Sequence, residues 1–378
     1  MTATSTTQSE RPSPQEPADE TPRKRWFVRH PVMTLGAITG LGCVVVVLGT
    51  EMVGRLLEPE FIPNREERVK FWHYSPRLGW AHEPLQRGRF NHRDFSVNVS
   101  INSHGFRDDE YSVERTEKRR MLVIGDSFVW GFGVEARDRF SEVIEAGHPE
   151  WEILNAGVSG YATDQEYLAL KGTGLAFKPD VVLLLVYEND FVENIRTEVY
   201  WYNKPRFILN GEALELRNVP VPGATFAQAF DRFLLGRTYL GRKYYNQLAG
   251  LKSLFAKRAA PAPKRASPPA NGPVTAEARM ISMMRALLTA MRSECTAAGA
   301  KFVVVNAPLD AEKLSWLEGI TEDAGIPHLS LNAAFDAIKD PVTFPHDAHW
   351  NEAGHKLAAQ AIEAFLRQQG VFAPESPR

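Results

Sequence analysis

The longest uncharged stretch of the chain lies near its amino terminus. From Val32 to Thr50 no residue carries a charge. Helical residues rise by about 1.5 Å each, so a run of this length approaches the roughly 30 Å hydrocarbon core of a bilayer. A secretory signal usually has a shorter apolar region, followed by a cleavage site that is not evident before Glu51. The pattern therefore predicts a retained transmembrane signal anchor at residues 31–57.

A buried core helix and a lipidation site both fit this stretch less well. A buried core helix would require partners, and the leading segment from Met1 to Glu20 is too polar and proline-rich to pack around it. Lipidation of Cys43 is disfavoured because the preceding Gly40-Leu41-Gly42 resembles a lipidation site poorly.

Basic residues set the expected orientation of the anchor. Arg23, Lys24, Arg25 and Arg29 precede the apolar run, and the positive-inside rule keeps such a flank in the cytoplasm. Residues 1–30 are therefore expected to form a polar cytoplasmic tail. Everything after about residue 58 should lie on the other side of the membrane.

After the anchor, apolar and polar positions alternate. Phe95, Val97, Val99 and Ile101 are separated by polar residues, which is the period of a half-buried strand. Residues 58–118 are therefore expected to form a small strand-containing lead-in.

The remaining chain alternates apolar strands with helical stretches. The predicted strands are 121–125, 151–157, 180–190, 301–308 and 326–331. Strands that are apolar on both faces and separated by helices predict a parallel sheet covered on both sides. We therefore expect one doubly wound α/β domain over residues 119–370.

An insertion at about residues 191–273 interrupts this alternation. It contains a segment rich in aromatic residues and proline, then a basic helical stretch, then a linker at 259–273 that is flexible by composition. The basic residues are Arg237, Arg242, Lys243, Lys252, Lys257 and Arg258. They could rest on a membrane surface, but a solvated amphipathic helix is the favoured interpretation.

Composition narrows the possible functions. With 44% hydrophobic and 24% charged residues the chain can form a large core. A net charge of -2 gives no general attraction to nucleic acid, and no nucleic-acid partner is expected. Cys43 and Cys295 are far apart in sequence, which argues against a disulfide framework or a thiolate metal site.

Candidate catalytic groups follow the predicted strands. Ser127 comes directly after the first strand, Gly157 ends the second, and Asn189 lies at the end of the third. In an open parallel sheet, ligands bind at the carboxyl ends of the strands. The backbone N–H groups of Ser127 and Gly157 and the Asn189 amide could bind an oxyanion.

A base for the serine lies near the carboxyl end of the chain. Asp347 and His349 could activate Ser127, because a serine needs an imidazole to take its proton and the imidazole needs a carboxylate to orient it. Asp126 could also orient the imidazole, but capping the turn is its favoured role.

A metal site is the less favoured interpretation of the same segment. His346, Asp347, His349 and His355 are residue types that suit zinc, but His355 is expected to pack in the final helix. No metal or other cofactor is expected.

The order Ser127, Gly157, Asn189 and His349, each after a strand, resembles that of the SGNH, or GDSL, hydrolase superfamily. The resemblance covers about residues 119–370 and implies a flavodoxin-like three-layer sandwich. It implies that Ser127 is the nucleophile, that Gly157 and Asn189 are oxyanion-hole donors, and that His349 is the base.

Two positions depart from the family pattern. Tyr187 stands where the third block usually has glycine, and His346 stands where the last block usually has aspartate, three residues before the histidine. Here Asp347 is two residues before His349. This Asp-x-His-Trp arrangement is similar to that of alginate-type polysaccharide O-acetyltransferases of the periplasm.

Three functions fit these observations. The first is a serine esterase that removes acetyl or other acyl groups from glycans or lipids outside the cytoplasm. The second is an O-acetyltransferase of envelope polysaccharide, and the third is a non-catalytic glycan-binding subunit of an envelope assembly complex. The expected location is a bacterial inner membrane, with the catalytic domain periplasmic or extracellular. Hydrolysis ranks first because the superfamily contains more esterases than transferases.

Overall fold

The computed structural model describes residues 26–58, 64–200, 202–230, 238–243 and 275–372. The chain divides into two compact units, Met1–Leu57 and Glu58–Arg378. In the first unit, α1 spans Trp26–Arg29 and α2 spans Pro31–Leu57.

Helix α2 is a candidate membrane span by length and composition. Apolar side chains are exposed along it, among them Val32 at 82% and Leu41 at 66%. A helix with such an exposed apolar surface could serve as a membrane anchor. Arg29 ends α1, whereas Arg23, Lys24 and Arg25 lie outside the described residues, so the orientation stays a prediction.

The lead-in begins the second unit with a 3₁₀ helix at Asn64–Phe71 and two antiparallel hairpins. The first hairpin pairs β1, Trp72–Ser75, with β2, Gly79–His82. The second pairs β3, Arg87–Asn91, with β4, Ser96–Ser100. Val97 and Val99 of β4 are buried while its serines are exposed, so the predicted half-buried strand is confirmed.

The core of the second unit is a parallel sheet of five strands. These strands are β5, Arg119–Gly125; β6, Trp151–Asn155; β7, Val181–Val186; β12, Lys301–Asn306; and β13, His328–Ser330. Their order is β6-β5-β7-β12-β13. Because β6 and β7 lie on opposite sides of β5, the loop after β5 lies where a crevice opens at the carboxyl edge.

Helices cover both faces of the sheet. One face packs against α5, Thr163–Gly172; α8, Ala276–Ala297; and α9, Ala311–Asp323. The other packs against α4, Phe140–Ala146, and α11, Glu352–Gln368. Alternate residues of β5 serve the two cores, with Leu122 on one face and Met121 on the other. The predicted doubly wound three-layer α/β fold is confirmed.

Short elements complete the described part of the unit. Two hairpins lie in the insertion: β8, Glu198–Val199, pairs with β9, Tyr202–Asn203, and β10, Arg206–Asn210, pairs with β11, Ala213–Arg217. Helix α7 spans Tyr239–Lys243. The predicted linker at 259–273 lies outside the described residues, as do Arg237, Lys252, Lys257 and Arg258.

The ends of the third predicted strand differ from the observed ones. Strand β7 ends at Val186, and α6 spans Glu188–Glu193. The Asp190 carboxylate accepts a hydrogen bond from the Tyr187 backbone N–H at 2.8 Å, which stabilises the start of a helix. Asn189 therefore lies in the first turn of a helix and not in the strand.

Four further elements surround the site. They are α3, Ser127–Trp130; α10, Asn332–Asp336; β14, Thr343–Phe344; and β15, Asp347–Trp350.

Candidate active site

Ser127 is the first residue of the short helix α3, and Asp126 alone separates it from the end of β5 at Gly125. The Asp126 Oδ1 atom accepts a hydrogen bond from the Phe128 backbone N–H at 2.9 Å, so the expected capping role of Asp126 is confirmed. Burial raises the pKa of Asp126 to about 6. Helix α3 ends at Gly131, whose φ of 78° lies in the left-handed region that glycine adopts most readily.

Ser127, His349 and Asp347 form one hydrogen-bonded chain. Ser127 Oγ lies 2.7 Å from His349 Nε2, and His349 Nδ1 lies 2.5 Å from Asp347 Oδ1. The His349 backbone N–H donates to the same Asp347 oxygen at 3.1 Å. This is the arrangement in which a carboxylate fixes the imidazole tautomer and leaves Nε2 to accept a serine proton.

Two phenylalanines hold the His349 ring. Phe132 stacks on it with ring centres 4.1 Å apart and an interplanar angle of 20°, and Phe128 lies 5.0 Å away. Such packing restricts rotation of the imidazole. Both phenylalanines lie close to Ser127 in sequence, yet their contact with His349 depends on how the distant β15 returns to the sheet.

Gly157 packs against the helix that carries Ser127. A Cβ atom at this position would lie 2.5 Å from the Trp130 backbone nitrogen, a distance that real Cβ atoms do not tolerate. The Gly157 N–H donates to Asn155 Oδ1 at 3.2 Å, and Asn155 Nδ2 donates to the Val129 carbonyl at 2.8 Å. The loop after β6 is thus tied to α3.

Asn189 is engaged in two long hydrogen bonds. Its Nδ2 donates to Glu193 Oε2 at 3.2 Å and to the Tyr161 carbonyl at 3.4 Å. Its Oδ1 is buried and has no hydrogen-bond partner among the described residues. Burial raises the pKa of Glu193 to about 7.

The tyrosine at the family's glycine position is accommodated without strain. Tyr187 has φ -127° and ψ 175°, an extended conformation that any residue adopts. Its ring packs on Phe128 at 4.6 Å between centres. The departure therefore leaves the backbone before Asn189 in an ordinary conformation.

The lead-in contacts the loop that carries the base. Asp94, between β3 and β4, binds both the backbone N–H and the ring of His346. The pKa of Asp94 is lowered: burial alone would raise it, and the hydrogen bonds from His346 outweigh that effect. Asp94 could not be identified from the sequence, because no pattern links residues so far apart in the chain.

A buried arginine of the lead-in closes the end of α3. The Arg107 guanidinium donates to the carbonyls of Trp130 at 3.0 Å, Gly131 at 2.6 Å and Val134 at 2.7 Å. These carbonyls lie at and beyond the helix carboxyl end, where acceptors lack intrahelical partners. Burial lowers the pKa of Arg107 to about 9.

The residues of the alternative zinc site do not converge. The His346 ring is paired with Asp94, and His355 is buried with its ring stacked 6.2 Å from that of Phe140. Within the described residues, no group of three or more His, Cys, Asp or Glu side chains is placed to hold a metal ion.

Among solved structures, the chain is similar to a member of the lipolytic protein G-D-S-L family from Veillonella parvula, with 13% identity, 66% of this chain and 99% of that chain covered, and a TM-score of 0.37. The chain is also similar to a psychrotrophic esterase from a Pseudoalteromonas species, with 13% identity, 67% of this chain and 98% of that chain covered, and a TM-score of 0.38. A variant of an acetyl-xylooligosaccharide esterase from Geobacillus stearmophilus is 14% identical, with 68% of this chain and 97% of that chain covered, and a TM-score of 0.37.

Sequence comparisons give one family match. A search of curated proteins found none that matches the chain. Residues 123–357 match the GDSL-like Lipase/Acylhydrolase family. This range contains all five residues that are candidates for catalysis and oxyanion binding.

Proposed function

The chain belongs to the GDSL-like lipase/acylhydrolase family, and on this premise we propose that it is a serine-dependent ester hydrolase that works through an acyl-enzyme. The observation that carries the proposal is the hydrogen-bonded chain from Ser127 Oγ through the His349 ring to Asp347. A serine hydroxyl becomes an effective nucleophile when an oriented imidazole takes its proton.

In the proposed first half-reaction, Ser127 Oγ attacks the ester carbonyl carbon while its proton moves to His349 Nε2. The tetrahedral intermediate then collapses, the carbon–oxygen bond to the alcohol breaks, and His349 returns the proton to the leaving alcohol. In the second half-reaction, His349 Nε2 takes a proton from a water molecule that attacks the acyl carbon. The bond from this carbon to Ser127 Oγ then breaks, His349 returns the proton to Oγ, and the acid is released. Asp347 stays ionised and stabilises the imidazolium formed in both steps.

The proposed oxyanion donors are the backbone N–H groups of Ser127 and Gly157 and the Asn189 amide. Ser127 is the first residue of α3, so its N–H lies in the turn where no intrahelical acceptor exists. The other two donate through hydrogen bonds of 3.2 to 3.4 Å. We infer that the developing oxyanion, as the stronger acceptor, shares or replaces these long bonds.

We further propose acetyl esters of envelope glycans or lipids as substrates, with the reaction outside the cytoplasm. The order Asp347, His349, Trp350, similar to that of alginate-type O-acetyltransferases, supports the acetyl group. The exposed apolar helix α2 supports a membrane location. An association with an envelope polysaccharide assembly complex is part of the same proposal.

The test is acyl transfer by the full-length protein in detergent. We expect Ser127-dependent release of p-nitrophenol and free acetate from p-nitrophenyl acetate, and no diversion of acetyl to an added polysaccharide. The exposed Ser112 provides the matched control, Ser112→Ala beside Ser127→Ala. Acetyl appearing on the polysaccharide as free acetate falls would make the protein an O-acetyltransferase. If the protein showed no hydrolysis and a fluorophosphonate did not label Ser127, the non-catalytic subunit would be favoured.

A further inference from the structure

Arg68, in the 3₁₀ helix of the lead-in, is held between two aromatic rings. Its guanidinium carbon lies 4.9 Å from the ring centre of Tyr200 and 5.3 Å from that of Trp72. Its Nη1 donates one hydrogen bond, to Ser159 Oγ at 2.9 Å. Arginine has five N–H donors, and among the described residues no carboxylate forms an ion pair with Arg68.

The position of Arg68 is close to the proposed oxyanion donors. Ser159 lies two residues after Gly157 in the loop between β6 and α5, and Tyr161 of this loop accepts a hydrogen bond from Asn189. On the other side, the Tyr200 and Glu193 side chains interact electrostatically, and Glu193 accepts a hydrogen bond from Asn189. Arg68 therefore contacts both the loop and the tyrosine that flank Asn189.

The charge of Arg68 reaches the residue beside the proposed nucleophile. Burial raises the pKa of Asp126, and the positive charge of Arg68 acts in the opposite direction. The attraction is a through-space effect, because the contacts of Arg68 itself are with Ser159 and the two rings. Arg68 thus places a positive charge within electrostatic range of Asp126, the residue that precedes Ser127 in the chain.

A purely structural role for Arg68 would be stacking between Trp72 and Tyr200. Stacking uses the faces of the guanidinium. The hydrogen-bonding edge is a separate surface, and one hydroxyl contact uses only one of its five donors. That edge is the part of arginine that binds carboxylate and phosphate groups in a bidentate manner.

We propose that Arg68 binds an anionic group, a carboxylate or a phosphate, on the alcohol part of the substrate ester. The inference rests on the proposed esterase function and names its substrate class: acyl esters of acidic sugars. Arg68 acts here as a binding residue, and the acyl transfer itself stays with Ser127 and His349. The carboxylate of a uronic acid and the phosphate of a sugar phosphate are the two sources of such a group.

The first test compares three esters with the full-length protein in detergent. The probes are a mono-O-acetylated methyl glucuronoside, the corresponding methyl glucoside, which is neutral, and the corresponding glucoside 6-phosphate. We expect kcat/KM for at least one anionic ester to exceed that for the neutral ester by about tenfold or more. The preference should fall as NaCl is added, because salt screens a partly exposed charge. The favoured anionic ester identifies carboxylate or phosphate as the bound group.

The second test changes the arginine. Arg68→Gln should lower the ratio of kcat/KM for the anionic ester to that for the neutral ester by about tenfold. Arg68→Lys should give an intermediate ratio, because it keeps the charge and loses the planar fork. Arg137, whose side chain is 83% exposed, provides the matched control, since Arg137→Gln should leave the ratio at its wild-type value.

The outcomes separate the two proposals. Equal kcat/KM for anionic and neutral esters in the wild type, with Ser127-dependent hydrolysis of p-nitrophenyl acetate intact, would overturn the anion site and leave the esterase standing. An unchanged ratio in a folded Arg68→Gln protein would do the same. Absence of any Ser127-dependent hydrolysis would instead count against the proposed function. The wild-type comparison decides the matter even where the variants fail to fold.

Discussion

The Asp94 carboxylate accepts a hydrogen bond from the His346 backbone N–H at 3.0 Å and another from the His346 ring at 2.6 Å. His346 stands where the family pattern has aspartate, and its side chain points to the lead-in instead of to His349. The pair joins the loop between β3 and β4 to the segment that carries Asp347 and His349. We therefore expect Asp94 to position the proposed base.

The first prediction concerns this pair. Asp94→Asn should lower kcat by about tenfold with little change in KM, because a base displaced by a fraction of an ångström loses much of its advantage without altering substrate binding. Steady-state kinetics on p-nitrophenyl acetate measure this, with the exposed Asp109 changed to Asn as the control. A double-mutant cycle with His346→Gln should show coupling in kcat. Lower thermal stability with unchanged kcat would mean that the pair is only structural.

The second prediction concerns the hydrogen-bonded chain at Ser127. Replacing Ser127 or His349 with alanine should lower turnover by at least about 10³-fold, because the members of such a chain act as a unit. Asp347→Ala should cost less, since its role is to orient and stabilise the imidazole. Near wild-type turnover in a Ser127→Ala protein would exclude the serine mechanism.

The third prediction concerns the oxyanion. Asn189→Ala should lower kcat by about 10²-fold with little effect on KM, because a donor that acts on the developing charge contributes mainly in the transition state. Asn210, which is exposed at the end of β10, gives the control Asn210→Ala. A rise in KM without a fall in kcat would assign Asn189 to substrate binding instead.

The fourth prediction follows from the buried Glu193 beside Asn189. Its pKa is raised from 4.5 to about 7 by burial, so between these values the folded chain holds a proton that the unfolded chain releases. The contribution of Glu193 to the free energy of unfolding therefore falls as pH rises through this window. Glu193→Gln cannot ionise, so the Tm of the variant relative to wild type should increase from pH 5 to pH 8.

Comparing the Tm of Glu193→Gln with that of the wild type at each pH removes the effect of the buried histidines. His82 and His355, whose pKa values burial lowers to about 4 and about 3, contribute equally to both curves. A Tm difference that is constant across the pH range would show that Glu193 does not change its ionisation on folding.

The fifth prediction concerns membrane topology. The basic flank before the apolar helix predicts that the amino terminus is cytoplasmic and that the second unit is outside. A reporter active only in the periplasm, fused after Arg378, should be active. A folded, membrane-inserted fusion with a silent reporter would reverse the orientation.

The sequence was sufficient to predict the sheet because buried parallel strands are apolar on both faces. The run from Val181 to Val186 is fully buried, and its composition alone indicated this. The end of the same strand was less well predicted, because the cap formed by the Asp190 side chain at Tyr187 competes with strand extension. Polar residues beyond an apolar run indicate a change of structure, but not which structure follows.

The site was predicted in part for a similar reason. Ser127, Gly157 and Asn189 could be brought together from the sequence because strand ends of a parallel sheet meet at one edge. His349 lies in the separate antiparallel hairpin of β14 and β15, and it was assigned to the site from its chemistry and from the family resemblance. The contacts of Phe132, Arg107 and Asp94 could not be predicted, because they depend on how the lead-in packs on the sheet. Such contacts join residues that share no repeating pattern of apolar and polar positions, so a single sequence does not predict them.

The contacts of the Arg107 guanidinium limit how far the protein can be truncated from its amino-terminal side. The family match begins at residue 123, downstream of the lead-in that supplies this arginine. A fragment trimmed to that boundary would lose the guanidinium that donates to the carbonyls of Trp130, Gly131 and Val134 and would open the end of α3 to water, at a net cost of about 0.5–1.5 kcal/mol for each hydrogen bond. It would also uncover the rings of Trp130 and Phe132, which pack against the lead-in. The smallest independently folding piece that contains Ser127 should therefore start well upstream of the family boundary, within the segment that follows the anchor.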